Sequence, residues 1–157
     1  TAVQALQRDG CEMIVLGIGP GHVGTGTQLG FSGLDLAGHA ALLTKLGADV
    51  GLALRASDAD QRDRHRGIGH HTATLVELTD TRVALPFPSD RAVAAEELMG
   101  LAVSRAALVD PINLVEAAGA VGLNIESMGR RLFDDATAVA FLGAAAAWAA
   151  NGATVGR

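Results

Sequence analysis

Apolar runs of strand length alternate with helix-length segments almost to the end of the chain, and no other feature narrows the fold as far. The runs lie near Glu12–Ile18, at Asp49–Ala56, and in "RVALPF", "RAALVD" and "LNIESM". After an opening helix in "TAVQALQRDG", helices are predicted at about Ser32–Leu46, His70–Leu78, Asp90–Ala102, Pro111–Ala120 and Asp135–Ala150. Local punctuation agrees with these limits. Gly47 stops one helix, Asp110 caps another ahead of Pro111 at its first position, and Asn151-Gly152 ends the last. Repeated strand–helix units close most simply as parallel strands joined by right-handed crossovers. The pattern therefore predicts one α/β domain over residues 1–157. It would have three layers, with a mostly parallel five-stranded sheet between helices on both faces, Rossmann-like in outline.

At 157 residues the chain can bury a proper core. Its hydrophobic share is 49% and its mean hydropathy +0.30, rather apolar for a monomer. With no initiating Met and an opening inside a helix, it reads as a fragment of a longer chain. An extra buried surface is expected, from a homo-oligomer or from docking to a missing N-terminal region. The net charge of -5 comes without any basic block, aromatic residues are 3%, and Tyr is absent. These features argue against a nucleic-acid partner, which needs a cationic footprint or stacking platforms. The longest apolar run, "ATAVAFLGAAAAWAA", falls short of the roughly 20 residues a membrane span requires, so no membrane role is expected. The lone Cys11 has no internal disulfide partner, and no signal peptide is visible, which suits a cytoplasmic protein. Phe141, Trp148 and Met13 are core candidates.

In an open parallel sheet, ligands bind outside the carboxyl ends of the strands. The unusual residues of this chain cluster after predicted strands, whereas the loops that follow helices are short and plain. The first cluster is "GIGPGHVGTGT". Counted from Gly17, a dinucleotide fingerprint would place its third glycine at position 22, which is His, and no G-K-[ST] of a P-loop occurs. What remains is a flexible loop whose backbone N–H groups can converge on an anion, aided by hydroxyls. Gly19, Gly21, His22, Gly24, Thr25, Gly26 and Thr27 are its ligand-binding candidates.

The second cluster, "DADQRDRHRGIGHHT", holds three of the five histidines. His65, His70, His71 and Asp63 are candidates for proton transfer or for ligating zinc, iron or manganese. His70 and His71, adjacent at a helix start, are expected to point different ways. Arg62, Arg64 and Arg66 can clamp a carboxylate or phosphate. A solvated, salt-bridged loop accounts for the same charges. In the third cluster, "SMGRRLFDD", Arg130 and Asp134 stand out, although helix capping explains one of its two aspartates.

Taken together, "GIGPGHVGTGT", "RASDADQRDRHRGIGHHT" and "SMGRRLFDDATAVAFLGAAAA" resemble a family of uncharacterised bacterial proteins, domain of unknown function 3866. The motifs follow the family's order from Gly17 to about Ala147. The resemblance implies that this chain is the C-terminal portion of longer members, and that the motifs act as one unit. It brings no activity, substrate or cofactor. Arg131 departs from the usual Gly after the first Arg, and so is set apart as a site residue.

The resulting expectation is a small anionic ligand held between the glycine loop and the Arg/His loop, with enzymatic chemistry open and the cofactor unknown. The alternatives are a non-catalytic interaction or oligomerisation module and a metal-dependent hydrolase using Asp63 with the histidines.

Overall fold

The computed structural model describes residues 2–18, 23–91, 105–127 and 129–152. Five helices lie among them: α1 (Ala2–Arg8), α2 (Asp35–Lys45), α3 (His70–Leu78), α4 (Leu114–Ala120) and α5 (Ala136–Ala150). The strands are short: β1 (Ala56–Ser57), β2 (Gly67–Ile68), β3 (Leu85–Pro88), β4 (Ala106–Val109), β5 (Glu126–Ser127) and β6 (Arg130–Arg131). They form three two-stranded sheets. The expected five-stranded, Rossmann-like parallel sheet is not formed among the described residues.

One parallel pair is the remnant of that sheet. β3 runs beside β4 in register, Leu85 opposite Ala106 and Pro88 opposite Val109. On its other side β3 meets the Asp49–Ala56 run, also in parallel, but only at a bridge between Gly51 and Ala84. There the Ala84 N–H donates to the Val50 carbonyl at 2.8 Å, and the Leu52 N–H donates to the Ala84 carbonyl at 2.9 Å. Why pairing stops is written in "LPFP". Along a strand, successive N–H groups point to opposite sides, so residues 84, 86 and 88 all face the Asp49–Ala56 run. Pro86 and Pro88 have no N–H to give. The ladder therefore ends after Ala84, while the β4 side keeps its donors at Leu85 and Phe87.

The other predicted strands turn into hairpins or remain unpaired. Ala56–Ser57 folds back against Gly67–Ile68 in antiparallel fashion, and Glu126–Ser127 does the same against Arg130–Arg131. Gly129, at φ +73°, permits that second reversal. Residues 13–18 form no strand, and Met13, Val15 and Leu16 are exposed, Val15 to 83%. Met13 is thus not core.

The helices follow the sequence more closely. Gly47 ends α2 with φ +83° and Asn151 caps α5 as predicted, whereas α4 is capped by Asn113 rather than by Asp110. Beyond Arg91, the predicted Asp90–Ala102 helix lies outside the described residues. Arg105 is buried at 8% exposure and joins three elements. Its guanidinium donates to the carbonyls of Val76 and Thr79 at the end of α3 and to that of Val83 ahead of β3.

α5 crosses β3 and gives the core its centre. Phe141 and Phe87, each 1% exposed, meet edge to face at 5.3 Å. Leu54, Ala56, Val76 and Leu85 complete the cluster. The helix approaches closely because it is rich in small residues. A Cβ on Gly143 would come within 2.5 Å of the Ile112 carbonyl, and one on Gly51 would enter the Trp148 ring.

Candidate functional site

The Ser57–Arg66 loop is organised around one carboxylate. Asp60 is 2% exposed although it lies in a polar loop. Its Oδ1 accepts from the Arg62 backbone N–H at 3.1 Å and from Arg62 Nε at 3.0 Å; its Oδ2 accepts from Arg62 Nη2 at 3.0 Å and Arg55 Nη2 at 3.3 Å. Arg130 Nη2 approaches the same oxygen to 3.6 Å, while its Nη1 donates to the Ala59 carbonyl. The Arg62 hydrogen bonds hold the Asp60 carboxyl far below the ordinary range, against the opposing effect of burial. Three guanidiniums thus share one anion. All three are partly exposed on their outer sides, with side-chain exposures of 51% for Arg55, 46% for Arg62 and 38% for Arg130.

The chain supplies its own control. Asp80 and Arg82 repeat the D-x-R turn, with the Arg82 N–H and Nε bound to Oδ1 at 2.9 and 3.0 Å. That turn is more open, and among the described residues only Arg82 forms an ion pair with Asp80, although buried Arg105 also acts on this carboxylate through space. The D-x-R spacing accounts for a local turn, and the extra guanidiniums at Asp60 are a product of the tertiary fold.

A second network ties this loop to α5. Asp135 caps the helix by accepting from the Ala138 N–H at 3.1 Å, and it also accepts from Ser57 Oγ at 2.5 Å. Burial pushes the Asp135 carboxyl up, but these hydrogen bonds outweigh it and leave it below its usual value. Thr137 donates to Asp58 and accepts from Arg91 Nη1 at 2.7 Å. Between the loop, the β5–β6 hairpin and α5 opens a cavity of about 540 Å³. Arg55, Arg130, Arg131 and Asp134 line it together with apolar side chains.

The histidines form a cluster next to this site. Buried His65 has its ring centroid 4.8 Å from that of His70 and 5.8 Å from that of His71. The His70 and His71 rings are themselves 4.0 Å apart, so both sit on one side, contrary to the sequence expectation. His70 Nδ1 lies 3.0 Å from the Arg64 carbonyl, which can only accept, and so the proton belongs on Nδ1. Among the described residues, no group of three His, Cys, Asp or Glu side chains is arranged to hold a metal ion. Asp63, Arg64 and Arg66 occupy an exposed turn.

Burial, reinforced by Arg62 and His70, pushes the His65 imidazole down to about 4. In the unfolded chain the ring takes up a proton near 6.5. Between those values the unfolded state binds the extra proton, so stability falls as pH drops from 6.5 to 4, by at most about 1.4 kcal/mol per pH unit. Urea unfolding at pH 4.5 and 7 should show a smaller pH difference for His65→Gln than for the parent. Equal differences would mean that the ring is not held neutral.

The described part of the glycine loop is a closed hairpin. Gly24 bridges Phe31 in antiparallel fashion, and the Thr25 N–H donates to the Gly30 carbonyl at 2.6 Å. The Thr25 and Thr27 hydroxyls lie 3.0 Å apart, folded over Gly30, where a Cβ would collide with both. Gly26 takes φ +81° at the tip. Gly24, Thr25, Gly26 and Thr27 therefore hold the turn and do not line the cavity. Gly19, Gly21 and His22 lie outside the described residues. Counted from Gly19, the spacing Gly19, Gly21, Gly24 does fit G-x-G-x-x-G. That fingerprint works only between a strand and a helix start, and here residues 13–18 form no strand while Gly24 enters a hairpin. The hairpin still reaches the second cluster, because the Phe31 ring stacks on His71 at 4.2 Å.

Arg130 and Asp134 thus line the cavity and Arg62 shares the Asp60 carboxylate with Arg130, while His65, His70 and His71 cluster together outside the lining. Sequence reasoning missed Arg55 and the central role of Asp60. Arg55 ends an apolar run and carries no spacing signal. Arg131, set apart at first, lines the cavity.

Short helices and three two-stranded strand pairs thus surround a cavity lined by arginines and apolar residues. The chain belongs to the family described as proteins of unknown function (DUF3866), whose model matches residues 1–148. The match takes in essentially the whole chain, opening helix included, and not only the stretch that carries the three motifs. No curated protein and no solved structure matches it. Among the described residues, no helix is long and apolar enough to cross a membrane.

Proposed function

We propose that this protein binds a small anionic molecule in the cavity bounded by the Arg55–Arg62 loop, the β5–β6 hairpin and α5. One observation carries this: three guanidiniums converge on the single buried carboxylate of Asp60, and two of them, Arg55 and Arg130, also line the cavity. Asp60 holds all three in place, and one carboxylate against three guanidiniums leaves an excess of positive charge beside the cavity. Guanidinium forks held in this way suit a carboxylate or a phosphate oxygen pair, because little side-chain freedom is lost on binding. The glycine hairpin has a supporting part, since Phe31 buttresses His71. Proton transfer by the histidines is not part of the proposal, because none of their rings lines the cavity.

Titration with phosphate, sulfate and acetate, followed by thermal melting, tests the proposal. At a hundredfold excess over Kd, the midpoint should rise by about 5–10 °C. The rise should vanish in Arg55→Gln and Arg130→Gln, each compared with its own unliganded midpoint, and persist in Arg82→Gln. If no anion moves the parent's midpoint, the proposal fails.

A second reading, an interaction or oligomerisation module, draws on the exposed apolar side chains Val15, Leu108 and Val121. The convergence of arginines has no role in it.

A further inference from the structure

We infer that the ligand is amphipathic: a monocarboxylic acid with an apolar body of medium length, its carboxylate on Arg55 and Arg130 and its body along α5. This rests on the cavity being an anion site and adds what kind of anion fills it. The first argument is the lining. Besides its charged residues, the lining includes apolar Ala53, Leu132, Ala138 and Leu142. Leu142 is 37% exposed on a helix whose next-door residue, Phe141, is fully buried in the core. An apolar ligand body would cover that side chain and gain the usual stabilisation of removing it from water.

The second argument is that two of the polar lining residues, Ser57 and Asp135, are already engaged with each other. Ser57 Oγ donates to Asp135, and Asp135 accepts in addition from the backbone N–H groups of Asp58 and Ala138. Apart from Asp134, a sugar or polyol would find few side-chain acceptors to answer its hydroxyls, and the remaining side-chain donors are Arg55, Arg130 and Arg131.

The third argument is charge. The lining holds Arg55, Arg130 and Arg131 with Asp134 and Asp135, three positive groups with two negative, and the adjoining Asp60 and Arg62 offset each other. That balance accommodates one negative charge, whereas a doubly charged phosphate would bring its second charge against the aspartates. A volume of about 540 Å³ leaves room for a chain well beyond acetate.

Calorimetric titration with acetate, butanoate, hexanoate and octanoate, together with inorganic phosphate and octanol, tests the inference on the whole protein. Affinity should rise about two- to fourfold with each added methylene, with one site per chain. Octanoate binding should be lost in Arg130→Gln and weakened at least tenfold in Leu142→Glu, while Leu108→Glu, at the exposed position of β4, should leave it intact. If acetate and phosphate bind as tightly as octanoate, the amphipathic class is wrong and the anion site stands. If octanol binds as well as octanoate and Arg130→Gln changes neither, the anion site itself is overturned. Equal losses in Leu142→Glu and Leu108→Glu would mean that the acids merely coat exposed apolar surface, and would also overturn the inference.

Discussion

Asp60→Asn should lower the melting midpoint by roughly 10 °C, since removing one partner from a buried ionic cluster leaves the rest without compensation. Arg55, Arg62 and Arg130 all lean on this carboxylate, and its removal sets three guanidiniums against one another. Asparagine keeps the shape and one acceptor, so the change isolates the charge. Asp80→Asn is the comparison, because the same D-x-R turn occurs there with one ion-paired arginine, Arg82, and only a through-space effect of Arg105. Its effect should stay within about 2 °C, as for exposed pairs in general. Added sulfate should recover part of the loss in Asp60→Asn and almost none in Asp80→Asn, because an external anion can replace the missing charge only where cations have been gathered. Similar losses in the two variants would mean that the convergence on Asp60 is ordinary surface pairing.

Why Asp60 was not evident in the sequence follows from the same comparison. "DQR" and "DTR" look alike, and only the tertiary fold decides that one is covered and joined by Arg55 and Arg130. Local signals were read well. α2, α3 and α5 lie close to where apolar spacing, Gly47 and Asn151-Gly152 put them, because caps and periodicity are properties of neighbouring residues. The sheet was misread for a reason that was in plain view. "LPFP" has strand composition, but its prolines withdraw two donors from the side that a five-stranded sheet needs. The Glu12–Ile18 run shows the converse: apolar composition without a partner strand gives no strand. Of the proposed site, Arg62, Arg130 and Asp134 stand out in the sequence because charged residues cluster in their loops. Thr25 and Thr27 read as ligand donors in the sequence, but they lie within the hairpin closed by Gly24 and Phe31, where their hydroxyls meet over Gly30. What failed in each case was a long-range pairing, which no short window of sequence contains.

Phe141→Ala should cost about 3–5 kcal/mol, toward the upper part of that range. The size of such a loss depends on how far the surroundings can close over the missing ring, and here little can move. α5 is pinned near Phe141 by Gly143, whose carbonyl accepts from the Ile112 N–H at 3.2 Å and whose missing side chain lets the two backbones touch. Farther along, Trp148 is seated against Gly51, and at the start Asp135 is bound to both Ser57 and the helix N-terminus. Phe87, which meets the ring edge to face, stands on a strand fixed between β4 and the Gly51 bridge. The helix therefore cannot slide to fill the space. Phe141→Leu should recover more than half of the loss, since most of the buried volume returns even though the edge-to-face contact does not. Urea unfolding of the three proteins supplies the comparison. A cost below about 1 kcal/mol for Phe141→Ala would show that α5 repacks freely, and a helix that mobile would make an unsteady wall for the cavity on its Leu142 side.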